Sequence, residues 1–369
     1  MPEVLLVVGT RPEAIKLLPV HRALVSKGAD VSVMTTGQHR EMVDPLMDVL
    51  GFKVTASLAI EDKAPSLAQL SARLLTAFDE PLRTRRPDWI VVQGDTTSVA
   101  MGALAGYYHD IKVAHVEAGL RTGRPREPFP EELNRQIVGR IASLHFAPTQ
   151  NARANLLREG IADDAIHLVG NTIVDALRDI QARVLPTVED TKGVAAILAS
   201  DKPLMLVTAH RRENHGQGLE DLATALARLA REMDGELQIA FPVHLNPLAS
   251  APIRERLSDV AGVHLLEPLL YPQFLKLLTR SRLVLTDSGG VQEECAALGI
   301  PLLIARNVTE RTEAVDCGVG ELVGTDPDRI FTTAMRLLKD AKLHAARSVP
   351  SQAFGDGHAG ERIASLLLR

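Results

Sequence analysis

Short apolar, β-branched runs of strand length recur along the chain, separated by longer segments with apolar residues at helical spacing. The runs are "VLLVV" from Val4, "VSVMTT" from Val31, "WIVVQ" from Trp89 and "KVAHV" from Lys112. They continue with "LMLVT" from Leu204, "LQIAF" from Leu237, "LVLTD" from Leu283 and "PLLIA" from Pro301. That alternation predicts parallel sheets joined by crossover helices. The two halves also echo each other. "VVGTRPEA" from Val7 resembles "LVTAHRREN" from Leu206, and "IVVQGDTTSVAMGALAG" from Ile90 resembles "LVLTDSGGVQEECAALG" from Leu283. The same order and spacing in both halves predicts an α/β chain with two Rossmann-like, doubly wound domains. In sheets of this kind ligands bind outside the carboxyl ends of the strands, so two such edges facing a cleft would hold the chemistry.

The first domain is expected over residues 1–170 and the second over 171–353, with 354–369 forming a terminal segment. The polar stretch "LPTVEDTKG" from Leu185 reads as a surface link, and "HAGERIASLLLR" from His358 as an amphipathic helix. The helix opened by Pro130 is expected to turn Leu133, Ile137 and Ile141 toward the core.

Composition narrows the partners. The chain has 369 residues, 46% of them hydrophobic, and a net charge of −5 with both signs interspersed. No basic face recommends nucleic acid or an anionic membrane, and aromatics at 3% leave little for base stacking. Cys295 and Cys317 are too few for a disulfide framework or a cysteine-based zinc site. "MPEVLLVVGTRPEA" lacks a basic leader and no run reaches membrane-span length, so a cytoplasmic protein is expected. Neither a dinucleotide fingerprint, a metal spacing nor a serine-hydrolase elbow appears, so no cofactor and no metal are assigned.

The polar motifs fall on predicted strand ends. "RLVLTDSGGVQEECAALGIP" reads as strand, turn and helix, with Gly289-Gly290 at the helix start and Glu293 and Glu294 about one turn in. Such a turn suits a phosphate, and a carboxylate nearby suits ribose hydroxyls; equally, the acids could simply favour the helix N-terminus. "GTRPEAIKLLPV" places Arg11 and Lys16 at the mouth and first turns of a helix, as candidates for anion contact, with Glu13 as a first-turn acid. "VVQGDTTS" sets Asp95 after an apolar strand, as an N-cap or as a reactive acid. "HVEAGLRTG" adds His115 and Glu117, and "PFPEELNRQIVGRI" adds Glu131 and Glu132. The second half contributes His210, Arg211, Arg212 and Glu213 from "TAHRREN", and His244 and Asn246 from "FPVHLNP".

Taken together, "GTRPEAIKLLP", "TGQHREM", "QGDTTS", "HVEAGLRTG", "PFPEELNRQ", "GNTIVDAL", "TAHRREN", "PVHLNP", "TDSGGVQEE" and "TERTEAV" resemble the non-hydrolysing UDP-N-acetylglucosamine 2-epimerases of bacteria. The resemblance implies a glycosyltransferase-B-like fold, a last helix that crosses back to the first domain, and reversible conversion of UDP-GlcNAc to UDP-ManNAc. It implies catalytic roles for Asp95, Glu117, Glu131 and His210. It also implies UDP contacts from Arg11, Lys16, His210, His244, Ser288, Gly289, Gly290 and Glu294, and a homodimer. Some members are activated by a second UDP-GlcNAc. Gln38 and His39 match part of such a site and Arg212 and His244 could supply charge to it, whereas Lys63-Ala64-Pro65-Ser66 departs from the members' Arg- and Gln-containing segment. Thr312 and Gln352-Ala353-Phe354 depart from the family pattern as well. Two other functions fit parts of the pattern, a glycosyltransferase of the same fold and a nucleotide-sugar sensor without turnover.

Overall fold

Thirteen parallel strands in two separate sheets organise the computed structural model, which describes residues 1–38, 40–60, 66–243 and 246–369. The first sheet contains β1 (Glu3–Val8), β2 (Asp30–Thr35), β3 (Ala56–Ser57), β4 (Trp89–Gln93), β5 (Lys112–Val116), β6 (Leu144–Ala147) and β7 (Ile166–Leu168). The second contains β8 (Leu204–Thr208), β9 (Gln238–Pro242), β10 (Val263–Leu266), β11 (Leu283–Thr286), β12 (Leu302–Ile304) and β13 (Gly320–Leu322). Val4 through Val8 are all buried because helices cover both faces of the sheet, which is why the strand reads as a continuous apolar run.

The strand orders are β3-β2-β1-β4-β5-β6-β7 and β10-β9-β8-β11-β12-β13. Each sheet therefore reverses direction once, at β1/β4 in the first and at β8/β11 in the second. These are the topological switch points, where open parallel sheets bind ligands. The two pairs of echoing motifs in the sequence are the strands and turns that flank them.

The chain divides into one unit of residues Met1–Ala182 with Phe354–Arg369, and a second of Arg183–Ala353. The division after 182 falls later than the 170 expected from sequence, because helix Thr172–Arg183 is tied into the first unit, Asp179 pairing with Arg22 and Asp175 accepting from Gly360 N–H. The "LPTVEDTKG" segment is a surface stretch fastened within the second unit. Lys276 Nζ donates to Val188 O and to Asp190 Oδ1, at 2.6 and 2.8 Å.

Helix Ala359–Leu367 lies on helix Arg11–Ser26, burying Ile363 and Leu367. Gly360 donates its N–H to Asp175 Oδ1 at 2.8 Å, and Asn171 donates its N–H to Phe354 O at 2.7 Å. Gly360 is the point of closest approach: an added Cβ would stand 2.7 Å from the Pro19 carbonyl carbon. Because that neighbour is backbone, Gly360→Ala should lower stability by about 1–2 kcal/mol, despite Ala's better helix propensity. Urea unfolding checks this, and an unchanged midpoint would show that the two helices can part cheaply.

Candidate active site

In the first unit, β1 ends at the Gly9-Thr10 turn and β4 at Gly94, which takes a φ of +82°. Glu13 bridges the two turns. Its carboxylate accepts from Gly9 N–H at 2.6 Å, Thr10 Oγ1 at 2.9 Å and Thr96 Oγ1 at 2.9 Å. Burial pushes its pKa up to about 7, against the pull of these three donors. The sequence offers Glu13 only as a first-turn acid; the structure makes it the tie across the first switch point.

Asp95 stands beside it on the β4 turn. Arg135 holds the Asp95 carboxylate through Nε at 2.8 Å and Nη2 at 2.5 Å, and Asn134 Nδ2 donates to the Asp95 carbonyl at 2.9 Å. Thr96, not Asp95, caps helix Thr97–Tyr108, accepting from Val99 N–H at 3.3 Å. The N-cap reading of Asp95 therefore falls away, leaving a clamped carboxylate at a strand end.

Helix Glu131–Ile141 supplies the clamp, and it faces inward with its polar side. Glu132, Asn134, Arg135, Val138 and Gly139 are buried, whereas Leu133 is 49% exposed and Ile137 and Ile141 are partly exposed. This overturns the expected core face at Leu133, while Ile141 still packs against the core at the far end of the helix. The helix packs over strand-end turns whose amides and carboxylates require polar partners, and that requirement outweighs apolar periodicity. Glu132 accepts from the N–H groups of Thr122 and Gly123, and also binds Arg135 at 3.1 Å. Glu131 opens this helix.

Glu117 follows β5 in a left-handed conformation with φ +66°, which costs a non-glycine residue on the order of 1–2 kcal/mol. Lys16 forms a buried ion pair with it, and Asn171 Nδ2 donates to the same oxygen at 3.1 Å. Lys16, proposed from sequence as an anion contact, thus holds a carboxylate in this structure. Arg11 is half-buried at the start of the same helix, and burial lowers its pKa. Gln38 follows β2, where Ser98 Oγ donates to its Oε1 at 3.1 Å.

Behind the acids lies a pair of histidines. His115 Nε2 donates to Gly94 O at 2.8 Å, tying the Asp95 turn to the strand that carries Glu117, and His145 is its register partner on β6. Burial holds both pKa values down at about 4. An unfolded chain takes up protons on these rings below about pH 6.5 and the folded one does not, so they withdraw stability as pH falls from 6.5 to 4. The size is about 3 kcal/mol per ring. Glu13 works the other way, because its raised pKa lets the folded state bind a proton between about pH 7 and 4.5. The histidines outnumber it. Melting temperature should drop between pH 6.5 and 5, and drop less in His145→Gln; an identical drop in both would remove His145 from the account.

In the second unit, Thr208 and Thr286, which end β8 and β11, face each other through their hydroxyls. Ser288 precedes helix Gly289–Leu298, whose first amides lack intrahelical partners. A Cβ on Gly290 would meet nothing within 4 Å, so an anion can approach that turn closely. A Cβ on Gly289 would lie 2.7 Å from the Arg311 guanidinium, which packs against it. The adjacent acids have separate duties. Glu293 binds Arg311 Nε at 2.9 Å, while Glu294 accepts from Tyr271 Oη at 2.9 Å. Arg311 also pairs with Glu310, which binds Arg306 at 2.8 Å, and Arg306 reaches Glu213 at 2.8 Å. This chain of alternating charge, buried from Glu293 to Arg306 and ending at the exposed Glu213, ties the Gly-Gly turn to the turn after β8.

His210 follows β8, with Asp287 opposite it at the end of β11. The backbone of Arg212 lies in the short turn Arg212–Asn214 and its side chain lies outside the described residues, as do His39, Lys63-Ala64-Pro65 and His244.

Sequence reasoning passed over Arg135, Asn171, Tyr271, Asp287 and Arg311 as functional residues. The three-residue spacing of Glu132 and Arg135 on one helix could have flagged the clamp. Aligning the two halves set Asp95 against Ser288 and left Asp287 unremarked.

A surface cavity of about 540 Å³, lined by Tyr107, Tyr108, Asp110, Ile111, Lys112, Ile141 and Ser143, lies at the opposite end of β5 from Glu117. Among the described residues, no helix is long and apolar enough to cross a membrane.

A sequence-family model described as UDP-N-acetylglucosamine 2-epimerase matches residues 22–368. The UDP-N-acetylglucosamine 2-epimerase of Yersinia pestis is 43% identical over 99% of this chain and 98% of its own length. The crystal structure of the Neisseria meningitidis UDP-GlcNAc 2-epimerase bound to UDP-GlcNAc superposes with a TM-score of 0.93 at 36% identity, covering 99% of both chains. The glycosyltransferase of kitacinnamycin, at 12% identity and a TM-score of 0.65 over 100% of this chain and 99% of that one, shares the fold alone. With the two doubly wound units of the glycosyltransferase-B type and this likeness along its whole length, the chain belongs to the UDP-N-acetylglucosamine 2-epimerase family.

Proposed function

We propose that this protein interconverts UDP-GlcNAc and UDP-ManNAc at carbon 2 without hydrolysis, as a cytoplasmic homodimer that needs no cofactor. The observation that carries the reading is the pair Asp95 and Glu117 on neighbouring strand ends, one clamped by Arg135 and the other by Lys16. Epimerisation needs a proton removed from one face of carbon 2 and another delivered to the opposite face. Two carboxylates in unlike surroundings suit those two tasks.

The hydrogen on carbon 2 is not adjacent to a carbonyl, so direct removal would be very costly. Instead the bond between carbon 1 and the phosphate oxygen breaks first, and UDP keeps the electron pair. The oxocarbenium character left at carbon 1 acidifies the neighbouring C–H. A carboxylate among Asp95, Glu117 and Glu131 takes that proton, giving 2-acetamidoglucal. UDP then re-adds at carbon 1 while a second acid protonates carbon 2 from the other side. The Ser288, Gly289 and Gly290 amides, with Arg11 and His210, meet the charge that develops on the leaving diphosphate. Glu294, oriented by Tyr271, takes the ribose hydroxyls, and Lys16 acts by holding Glu117.

The exposed Tyr107, Tyr108, Phe129 and Leu133 give apolar surface for the homodimer, which light scattering on the purified protein would test. The reaction is tested with UDP-GlcNAc alone in deuterated water. UDP-ManNAc carrying deuterium at carbon 2 is the expected product. A transferase would need an acceptor and a sensor would leave the substrate unchanged, whereas product without deuterium would rule out elimination and re-addition.

A further inference from the structure

One buried carboxylate of the second unit, held by three donors on a single oxygen, is left unused by the mechanism above. Asp287 is completely buried at the end of β11, across the switch point from the turn after β8. Its Oδ2 accepts from His210 N–H at 2.9 Å, Arg211 N–H at 2.8 Å and Asn214 Nδ2 at 3.1 Å. Asn214 is fixed in turn by donating to Ala305 O at 3.1 Å. Three donors on one oxygen leave the carboxylate little freedom to rotate.

The second oxygen, Oδ1, is buried with no hydrogen bond, and His210 Nδ1 stands 3.5 Å from it. A buried carboxylate oxygen without a donor carries a desolvation cost of about 1–3 kcal/mol or more. A ring N–H directed at it would remove that cost after a shift of a few tenths of an ångström, and hydrogen bonds at catalytic groups often tighten only when ligand is bound. Two neighbours on this turn are engaged elsewhere, Glu213 being paired with Arg306 and His215 Nε2 lying 3.3 Å from the His210 carbonyl.

We propose that Asp287 is a positioning residue for His210, holding the imidazole with its proton on Nδ1 and stabilising its cation, so that Nε2–H is presented to the nucleotide's diphosphate. A carboxylate opposite one ring nitrogen fixes which nitrogen carries the proton and favours the doubly protonated ring. An imidazolium donates a charge-assisted hydrogen bond to a phosphate oxygen, and that bond strengthens as charge accumulates on the leaving group. The arrangement couples the end of one switch-point strand to the reactive side chain on the other. It deepens the proposed function and rests on the second unit being the nucleotide site.

The test is long-range ¹⁵N–¹H NMR of the histidine rings in the full chain, with the His210 signals identified by their loss in His210→Asn. In the wild type with UDP bound, His210 should appear as the cation, protonated at both Nδ1 and Nε2. In Asp287→Asn the amide oxygen still accepts the three turn donors, while the amide NH₂ faces the ring. His210 should then become the neutral ring protonated at Nε2. Turnover should fall by about 10²–10⁴-fold, the range of a general acid–base or orienting contribution, with UDP affinity by calorimetry changed less than about tenfold. A wild-type His210 found neutral with its proton on Nε2 overturns the proposal without any Asp287 variant, so a failure of Asp287→Asn to fold does not shield it. Unchanged ring protonation in a folded Asp287→Asn overturns it as well. If the wild type makes no UDP-ManNAc, the proposed function falls, while the ring spectra still decide the pairing.

Discussion

Asp95→Asn is expected to lower turnover of UDP-GlcNAc about a thousandfold and to leave UDP affinity within about twofold, as befits a proton-transfer group. The change is nearly isosteric. An amide oxygen can still meet the Arg135 fork, Arg135 keeps Glu132, and Asn134 still reaches the residue-95 carbonyl. The turn should therefore hold while the charge that would take or steady a proton is gone. Glu294→Gln supplies the contrast. Its contact with ribose is present in ground state and transition state alike, so UDP itself should bind more weakly. Calorimetry with UDP on both variants separates the roles, and equal losses of affinity would contradict the division.

The largest effect on stability is expected from Lys16→Met. The Lys16 ammonium is 3% exposed and Glu117 7%, so the substitution leaves a buried carboxylate without its cation. Breaking a buried pair from one side costs about 3–5 kcal/mol. Glu117 also occupies a strained backbone conformation that its partners must hold. In Lys16→Met/Glu117→Gln, Asn171 can still donate to the amide oxygen and the unpaired charge is absent, so much of the loss should return. Urea denaturation of the three proteins measures this. A single variant within about 1 kcal/mol of wild type would mean that water or another cation reaches Glu117.

The sequence pattern located eight strands correctly and passed over five. Of those five, β3, β7, β10 and β13 are the edges of the two sheets. Edge strands are short and partly exposed, Leu168 of β7 for instance being 42% exposed, so they lack a continuous apolar run. Leu133 failed as a core residue, while Ile141 does pack against the core from the helix end, because apolar spacing identifies a helix but not which side its neighbours require. The acids at strand ends were legible because each follows an apolar strand and precedes a helix. Their partners were not. Lys16 and Glu117 are distant in sequence, as are Asp95 and Arg135, and only the folded sheet makes them adjacent.

The return of residues Phe354–Arg369 to the first unit has a consequence for synthesis. Ala359, Ile363 and Leu367 complete a surface on helix Arg11–Ser26, yet they are made only after the whole of the second unit. Chains emerge at about 5–20 residues per second, and domains generally fold as units, amino-terminal ones first. Here that order is inverted. Arg183–Ala353 holds all of its own strands and can close while the nascent chain is still tethered. The amino-terminal unit must keep an apolar helix face uncovered until Phe354–Arg369 has been made, and that interval is when a chaperone would have its opportunity to bind.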